Sequence, residues 1–224
     1  MTSLGMDSKK FKWIPNGISV DELKMPEPLP AEVKGMIPQD KFIIGYAGTL
    51  GLANALDYFI EAAELLAEQS EICFLLVGHG KEQARLESKV EDKKLNNVKF
   101  IKPIEKRQMQ SLLAMFDVCY IGWCDEDIYK FGIAPNKLPE YLYAQKTIIH
   151  SFSGNGDYVA ESGAGITVPA ENSQLIAESI LKLYNLSPSE RDEKGKMGKE
   201  FAEDHLEYSQ LAKELIEEIF ILFV

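Results

Sequence analysis

From about residue 40 onward, short apolar runs alternate with stretches whose apolar positions recur at the helical period. The run KFIIGYAG (41–48) predicts a buried strand ending at Gly48. NALDYFIEAAELLAEQ (54–69) follows, with apolar residues at 56, 59, 60, 63, 66 and 67, the spacing of one helix face. Asn54, with Asp57 three residues on, predicts a capped start for that helix. ICFLLVGHG (72–80) reads as a second strand closed by glycines, KEQARLESKVED (81–92) as a polar helix and VKFIK (98–102) as a third strand. EKRQMQSLLAMF (105–116) places Met109, Leu112, Leu113 and Phe116 on one helix face, and DVCYIGW (117–123) is a fourth strand. FGIAPNKLPEYLYAQ (131–145) starts another helix; KTIIHS (146–151) and AGITVP (164–169) give the fifth and sixth strands.

Three helices finish the pattern. NSQLIAESILKLY (172–184) begins at an asparagine cap. SPSERDEKGKMGKEFAEDH (187–205) opens with Ser187, Pro188 at the first helical position and Glu190, a capping box. SQLAKELIEEIFILF (209–223) is the last. Strands that are nearly continuously apolar and alternate with helices imply a parallel sheet covered on both faces. The expectation is one doubly wound α/β domain of about six strands, without internal repeats or low-complexity segments. In such sheets ligands sit outside the carboxyl ends of the strands. A functional site is therefore expected among the loops 48–54, 78–82, 101–105, 123–137 and 151–157.

Composition narrows the function classes. With 224 residues, 46% hydrophobic and 26% charged, the chain can bury a sizeable core as one large domain or two small ones. A net charge of −11 argues against a nucleic-acid partner, which needs clustered Lys and Arg. It does not argue against a small anion held by backbone N–H groups. Cys73, Cys119 and Cys124 are scattered and odd in number, so they read as reduced core residues and not as a disulfide framework. No apolar run approaches the ~18 residues of a membrane-spanning helix, and MTSLGMDSKK lacks the apolar core of a signal peptide. A soluble, cytoplasmic protein is expected.

Four stretches carry candidate chemistry. AGTLGLAN (47–54) is a strand–glycine-loop–helix junction that suits backbone contact with phosphate, or is a plain tight turn. VGHG (77–80) holds His79 without a nameable proton-transfer partner, so a simple turn competes with a ligand contact. Asp125, Glu126 and Asp127 invite a divalent metal, but a chain with 35 acidic residues makes such matches by chance, and a solvated loop is expected instead, with no metal site. The richest stretch is FGIAPNKLPEYLYAQKTII (131–149). Asn136 is placed to cap a helix whose first turn tolerates Pro139. Glu140 then lies near the helix mouth, where a carboxylate can accept from a ribose diol, and Lys137 can meet a phosphate as a point charge. The alternative is a surface helix start with both charges solvated.

Together these pieces resemble the C-terminal half of GT-B glycosyltransferases of family four. FKWIPNGISVDEL (11–23) is similar to the family's VIPNGVD segment between its two halves, and GYAGTLGLANALDYFIEAA to the glycine loop and helix of the donor-binding half. FLLVGHGKEQARLE and NNVKFIKPIEKRQMQSLLAMFDVCYIG follow in order. PNKLPEYLYAQKTIIHS resembles PNKLFEYMAAGKPVI, and ESGAGITVPAENSQLIAESILKLY the segment after it. The match spans roughly residues 10–185.

The resemblance implies a donor site for a nucleoside-diphosphate sugar of UDP or GDP type, with no cofactor. Glu140 takes the place of the second glutamate of the family's E-x7-E motif, the ribose ligand. Gly48, Thr49, Leu50 and Gly51 would face the diphosphate; the turn Phe131–Pro135, with Gly132, Ile133, Ala134 and Pro135, would approach the sugar or diphosphate through backbone amides; Ile101, Lys102, Pro103 and Ile104 would flank the base; His79, Asn136 and Lys137 complete the set. There are departures. Thr49 and Asn54 stand where the family often has Arg and Lys, and Gly132 where the first glutamate belongs, leaving Lys137 as the candidate counter-charge. Similar substitutions beside PNK occur in relatives that build bacterial surface polysaccharides, so the resemblance favours that branch, and it implies the donor-binding domain of a retaining, metal-independent glycosyltransferase.

Residues 1–38 then read as junction and lead-in, and 39–224 as the donor-binding domain. The family's N-terminal acceptor-binding half is not among these residues. A partial chain or natural half-protein is expected, binding nucleotide weakly and transferring no sugar alone. Its acceptor would be a lipid-linked glycan, met at the inner face of the membrane by the full enzyme. A sugar-nucleotide epimerase half shares the fold but needs paired carboxylates and histidines in the cleft, and the chain has three histidines. A non-catalytic receiver-like module needs aspartates at strand ends, where this sequence has glycines.

Overall fold

The computed structural model describes residues 12–221. Residues 1–11, including Phe11 of the lead-in motif, and 222–224, including the end of the expected last helix, lie outside the described residues. Six strands, β1 (Phe42–Ala47), β2 (Ile72–Val77), β3 (Val98–Ile101), β4 (Val118–Gly122), β5 (Thr147–Ser151) and β6 (Gly165–Val168), pair in parallel in the order β3-β2-β1-β4-β5-β6. Every residue of β1, β2, β4 and β5 is buried, which is why these strands read as unbroken apolar runs.

The helices are α1 (Val20–Leu23), α2 (Ala31–Met36), α3 (Leu56–Leu65), α4 (Gln83–Asp92), α5 (Met109–Leu113), α6 (Lys137–Tyr143), α7 (Tyr158–Ser162), α8 (Ser173–Tyr184), α9 (Pro188–His205) and α10 (Tyr208–Ile221). Strand alternation splits the core between the two sheet faces. Ile44, Tyr46, Phe74 and Tyr120 pack with Phe59 of α3 and Ile180 of α8 on one face. Ile43, Leu75, Cys119 and Ile148 pack with Leu112 of α5 and Leu142 of α6 on the other. Ile18 and Ile37 of the lead-in are buried in this second core, so residues that read as junction cover part of the sheet.

The local helix signals fared differently. Asn172 Oδ1 accepts from Leu175 N at 2.9 Å, and Ser187 and Glu190 form the reciprocal capping box. The expected cap at Asn54 is not formed: residues Leu52–Asn54 make a 3₁₀ turn, and the cap position of α3 is Ala55, in the left-handed region. The Asn54 side chain instead accepts from Lys137 and donates to Thr49 O. Cys73 and Cys119 are buried, whereas Cys124 lies half-exposed on a loop with its thiol donating to Leu52 O at 3.1 Å, so it is not a core residue. No helix among the described residues is long and apolar enough to cross a membrane.

Asp57 is used across helices. Its carboxylate accepts from Arg85 at 2.8 and 2.5 Å and from Lys89 at 2.9 Å, tying α3 to α4. The Arg85 hydrogen bonds foremost hold its pKa down to about 2, against 3.8 ordinarily. This contribution is complete above the unfolded value and is lost as pH falls through the folded one. Asp57→Asn is expected to cost about 1–2 kcal/mol near neutral pH, an effect that shrinks below about pH 3 in urea titrations.

Candidate functional site

The strand order reverses between β1 and β4, opening a crevice at their carboxyl ends. Helix α6 is fixed beside it. Leu138, Tyr141 and Leu142 are buried, and the Tyr141 hydroxyl donates to Ala47 O at 2.9 Å while accepting from Ala47 N at 2.7 Å. The first turn of α6 is thereby pinned to the end of β1, which aims Lys137 and Glu140 at the crevice. Asn136 is not the expected side-chain cap. Its Oδ1 accepts from Asn16 Nδ2 at 2.8 Å, and Asn16 also donates to Ala134 O at 2.5 Å, so the lead-in braces the turn before α6.

Lys137 reaches back over the sheet edge. Its ammonium donates to Tyr46 Oη at 2.9 Å and Asn54 Oδ1 at 2.6 Å, and lies 4.5 Å from the centre of the Tyr46 ring. Tyr46 and Asn54 both donate onward to Thr49 O, at 2.6 and 3.0 Å. No described carboxylate lies within ion-pair distance of this ammonium. Burial alone lowers its pKa from 10.5 to about 8. A half-buried cation with only neutral acceptors carries a desolvation cost that an arriving anion would offset.

The loop after β1 offers fewer donors than its sequence suggests. Gly48 N donates to Val77 O, Leu50 N to His79 O and Gly51 N to Thr49 O. Among the described residues Thr49 N–H has no partner. Leu50 is a correction: its side chain is fully buried and its carbonyl accepts from Glu82 N, so it faces the core and not the crevice. The His79 side chain is exposed at the rim.

Glu140 lines a groove of roughly 470 Å³ with Ala47, Gly48, Lys106, Asn136 and Lys137. Burial pushes its pKa up, and Lys106, 4.0 Å away, pulls partly back. A smaller hollow of about 200 Å³, lined by Gly78, Pro103 and Ile104 among others, meets this groove at Gly48 and Met109. Of the segment expected to flank a base, Pro103 and Ile104 line that hollow, Lys102 is exposed and Ile101 is buried.

On the β4 side, Gly132 adopts φ 101° and ψ 167°, a region glycine alone enters freely, which accounts for glycine where the resemblance expects glutamate. Its N–H donates to Tyr129 O; those of Ile133 and Ala134 have no partner among the described residues. The Ile133 side chain is buried, which leaves only its backbone for contact. The loop is braced from below: Trp123 Nε1 donates to His150 Nε2 at 3.0 Å, and His150 Nδ1, therefore the protonated nitrogen, donates to Asp157 Oδ1 at 2.8 Å. Burial raises the Asp157 pKa, but hydrogen bonds led by that from His150 outweigh it and leave the carboxyl below its ordinary range. Asp127 pairs with Lys130 on the exposed loop, and no metal-binding cluster occurs among the described residues.

The crevice thus gathers Gly48, Thr49, Asn136, Lys137, Glu140, Pro103 and Ile104 and leaves out Leu50 and Ile101. Sequence reading missed Tyr46, Tyr141 and Asn16. A tyrosine next to the last residue of a buried strand was the available hint for Tyr46, and the PNG of the lead-in for Asn16.

A family model described as "Glycosyl transferases group 1" matches residues 41–186. The Escherichia coli (strain K12) glycosyl transferase WcaI, named for colanic acid biosynthesis, is 28% identical over 195 residues, covering 82% of this chain and 44% of that protein. Anabaena HepE, solved in complex with UDP-glucose, superposes with a TM-score of 0.76 at 17% identity, over 97% of this chain and 59% of its own. WaaG, a glycosyltransferase involved in lipopolysaccharide biosynthesis, does so with a TM-score of 0.71 at 20% identity, over 94% and 56%. The chain spans about half the length of the relatives it matches.

Proposed function

The chain belongs to the group 1 glycosyl transferases, and from that premise we propose that its β1/β4 crevice binds the nucleoside-diphosphate-sugar donor of a retaining, metal-independent sugar transfer. The observation that carries this reading is the half-buried Lys137 ammonium, held without a described counter-ion in the groove that Glu140 also lines. The diphosphate neutralises Lys137 and accepts from Thr49 N–H and the free amides of Ile133 and Ala134. Glu140 accepts from the ribose diol, and the base lies toward Pro103 and Ile104. As the bond to the sugar breaks, charge grows on the leaving diphosphate, and these fixed donors stabilise it without reorganising. The UDP-glucose complex of HepE supports a donor of that type, and the names of WcaI and WaaG support assembly of a bacterial polysaccharide or glycan. The acceptor, a lipid-linked glycan in this reading, would be met outside the surfaces described.

The test is a thermal-shift and calorimetric screen of UDP, GDP, ADP and their sugars, with and without EDTA. One base series should stabilise preferentially, and EDTA should change nothing. Glu140→Ala should weaken the best nucleotide by about 10- to 100-fold, the worth of hydrogen bonds to a charged group. Its ligand-free stability should hold, because Lys106 is a distant partner. Unchanged affinity would make the ribose assignment wrong.

A further inference from the structure

The groups around the Lys137 ammonium are chosen in an unusual way: they are strong acceptors, and they carry no charge. Asn54 Oδ1 at 2.6 Å and Tyr46 Oη at 2.9 Å take two of its three protons. The titratable groups that touch it or share its groove are Tyr46 from β1, Glu140 from α6 itself, Lys106 from the turn before α5, Glu22 from α1 and Tyr208 from α10. Burial raises the Tyr46 pKa, so that hydroxyl stays neutral; Glu140 pairs with Lys106 at 4.0 Å. None of them forms an ion pair with Lys137 among the described residues.

The same two side chains shape the loop. Asn54 Nδ2 and the Tyr46 hydroxyl converge on Thr49 O, so one amide and one phenol join the cation of α6 to the turn after β1. Asn54 and Lys137 lie 83 residues apart in sequence and meet only at this point. Had position 54 been an aspartate of the same shape, the ammonium would be neutralised in place and have little left for a ligand.

We propose that Asn54 and Tyr46 are positioning residues that hold the Lys137 ammonium uncompensated at the mouth of the β1 loop, so that the donor's diphosphate is its first full counter-charge. This rests on the donor reading above. It adds that binding is coupled to the protonation of Lys137. The ligand-free lysine, its pKa lowered to about 8 by burial, is partly neutral above that pH. A bound diphosphate draws the proton back, so binding takes up protons on the alkaline side and weakens as pH rises.

The decisive variant is Asn54→Asp, which changes one atom of the cradle from donor to acceptor and adds a charge. It is expected to form an ion pair with Lys137 while giving up the hydrogen bond to Thr49 O, so the diagnostic readouts are affinity and proton uptake. It should weaken the tightest of UDP, GDP and ADP by about 10-fold or more, and abolish proton uptake measured at about pH 8.5 in buffers of different ionisation enthalpy. Tyr46→Phe keeps the ring and removes one acceptor; it should weaken the same nucleotide by about 3- to 10-fold and keep the fold. An Asn54→Asp protein that binds like wild type, or that still takes up protons on binding at about pH 8.5, overturns the proposal. So does a Tyr46→Phe protein with unchanged affinity. A wild-type protein that binds none of the three nucleotides overturns the donor reading itself, and this inference with it.

Discussion

Lys137→Met should make the ligand-free protein more stable and nearly unable to hold a nucleoside diphosphate. The two effects share one cause. The ammonium is half-buried, its partners are neutral, and burial has lowered its pKa from 10.5 to about 8. Between those two values the unfolded chain keeps a proton that the folded chain has released, so wild-type stability rises with pH across that window. Below about pH 8 the folded protein bears the full cost of the buried charge. Met removes this cost, retains much of the volume, and still packs on the Tyr46 ring. Discounted for residual solvent contact, the gain is about 1–2 kcal/mol at neutral pH, falling toward zero near about pH 10. Nucleotide binding should fall by roughly 30- to 100-fold, the value of a charge-assisted contact to phosphate. Denaturant titrations across this pH range, with calorimetry, measure both. A destabilised variant that still binds would place the cation outside the site.

Gly78→Ala should be the most damaging of single methyl additions near the crevice. Gly78 follows β2 with φ 146°, and a Cβ there would lie 1.9 Å from Gly48 O, a backbone atom that cannot swing aside. Gly48 N is bonded to Val77 O, and Gly78 N to Ile101 O, so neither strand end can move without breaking a sheet bond. Overpacking and backbone strain together should cost about 2–5 kcal/mol. Any folded fraction should also bind nucleotide more weakly, because Gly48 borders both hollows of the crevice. Thermal and urea denaturation measure the first effect; a loss below about 1 kcal/mol would mean that the two turns are not packed as described.

What sequence could and could not reveal follows the range of each interaction. The strands were legible because both sheet faces are covered, which makes β1, β2, β4 and β5 uninterrupted apolar runs. The starts of α8 and α9 were legible because a cap is written within four residues. Asn54 carried the same local signal and misled. An asparagine before a helix fits a cap equally well as it fits a long-range acceptor, and its partner here, Lys137, lies 83 residues away. Asn136 failed likewise, being taken by Asn16 at a separation of 120 residues. Helix α7, five residues long, is too short for any periodicity to show and is set by its Asp157 cap. Lys137 and Glu140 were legible as neighbours because one short helix carries both; the contacts of Tyr46 and Asn54 with Lys137 depend on the fold.

The most direct measurement is a crystal structure of the chain soaked with whichever of UDP, GDP or ADP stabilises it most. The diphosphate should lie against Lys137 Nζ and Thr49 N–H, with the ribose on Glu140 and the base toward Pro103 and Ile104. A nucleotide seated elsewhere, or one in this crevice with Lys137 still held only by Tyr46 and Asn54, would contradict the assignment.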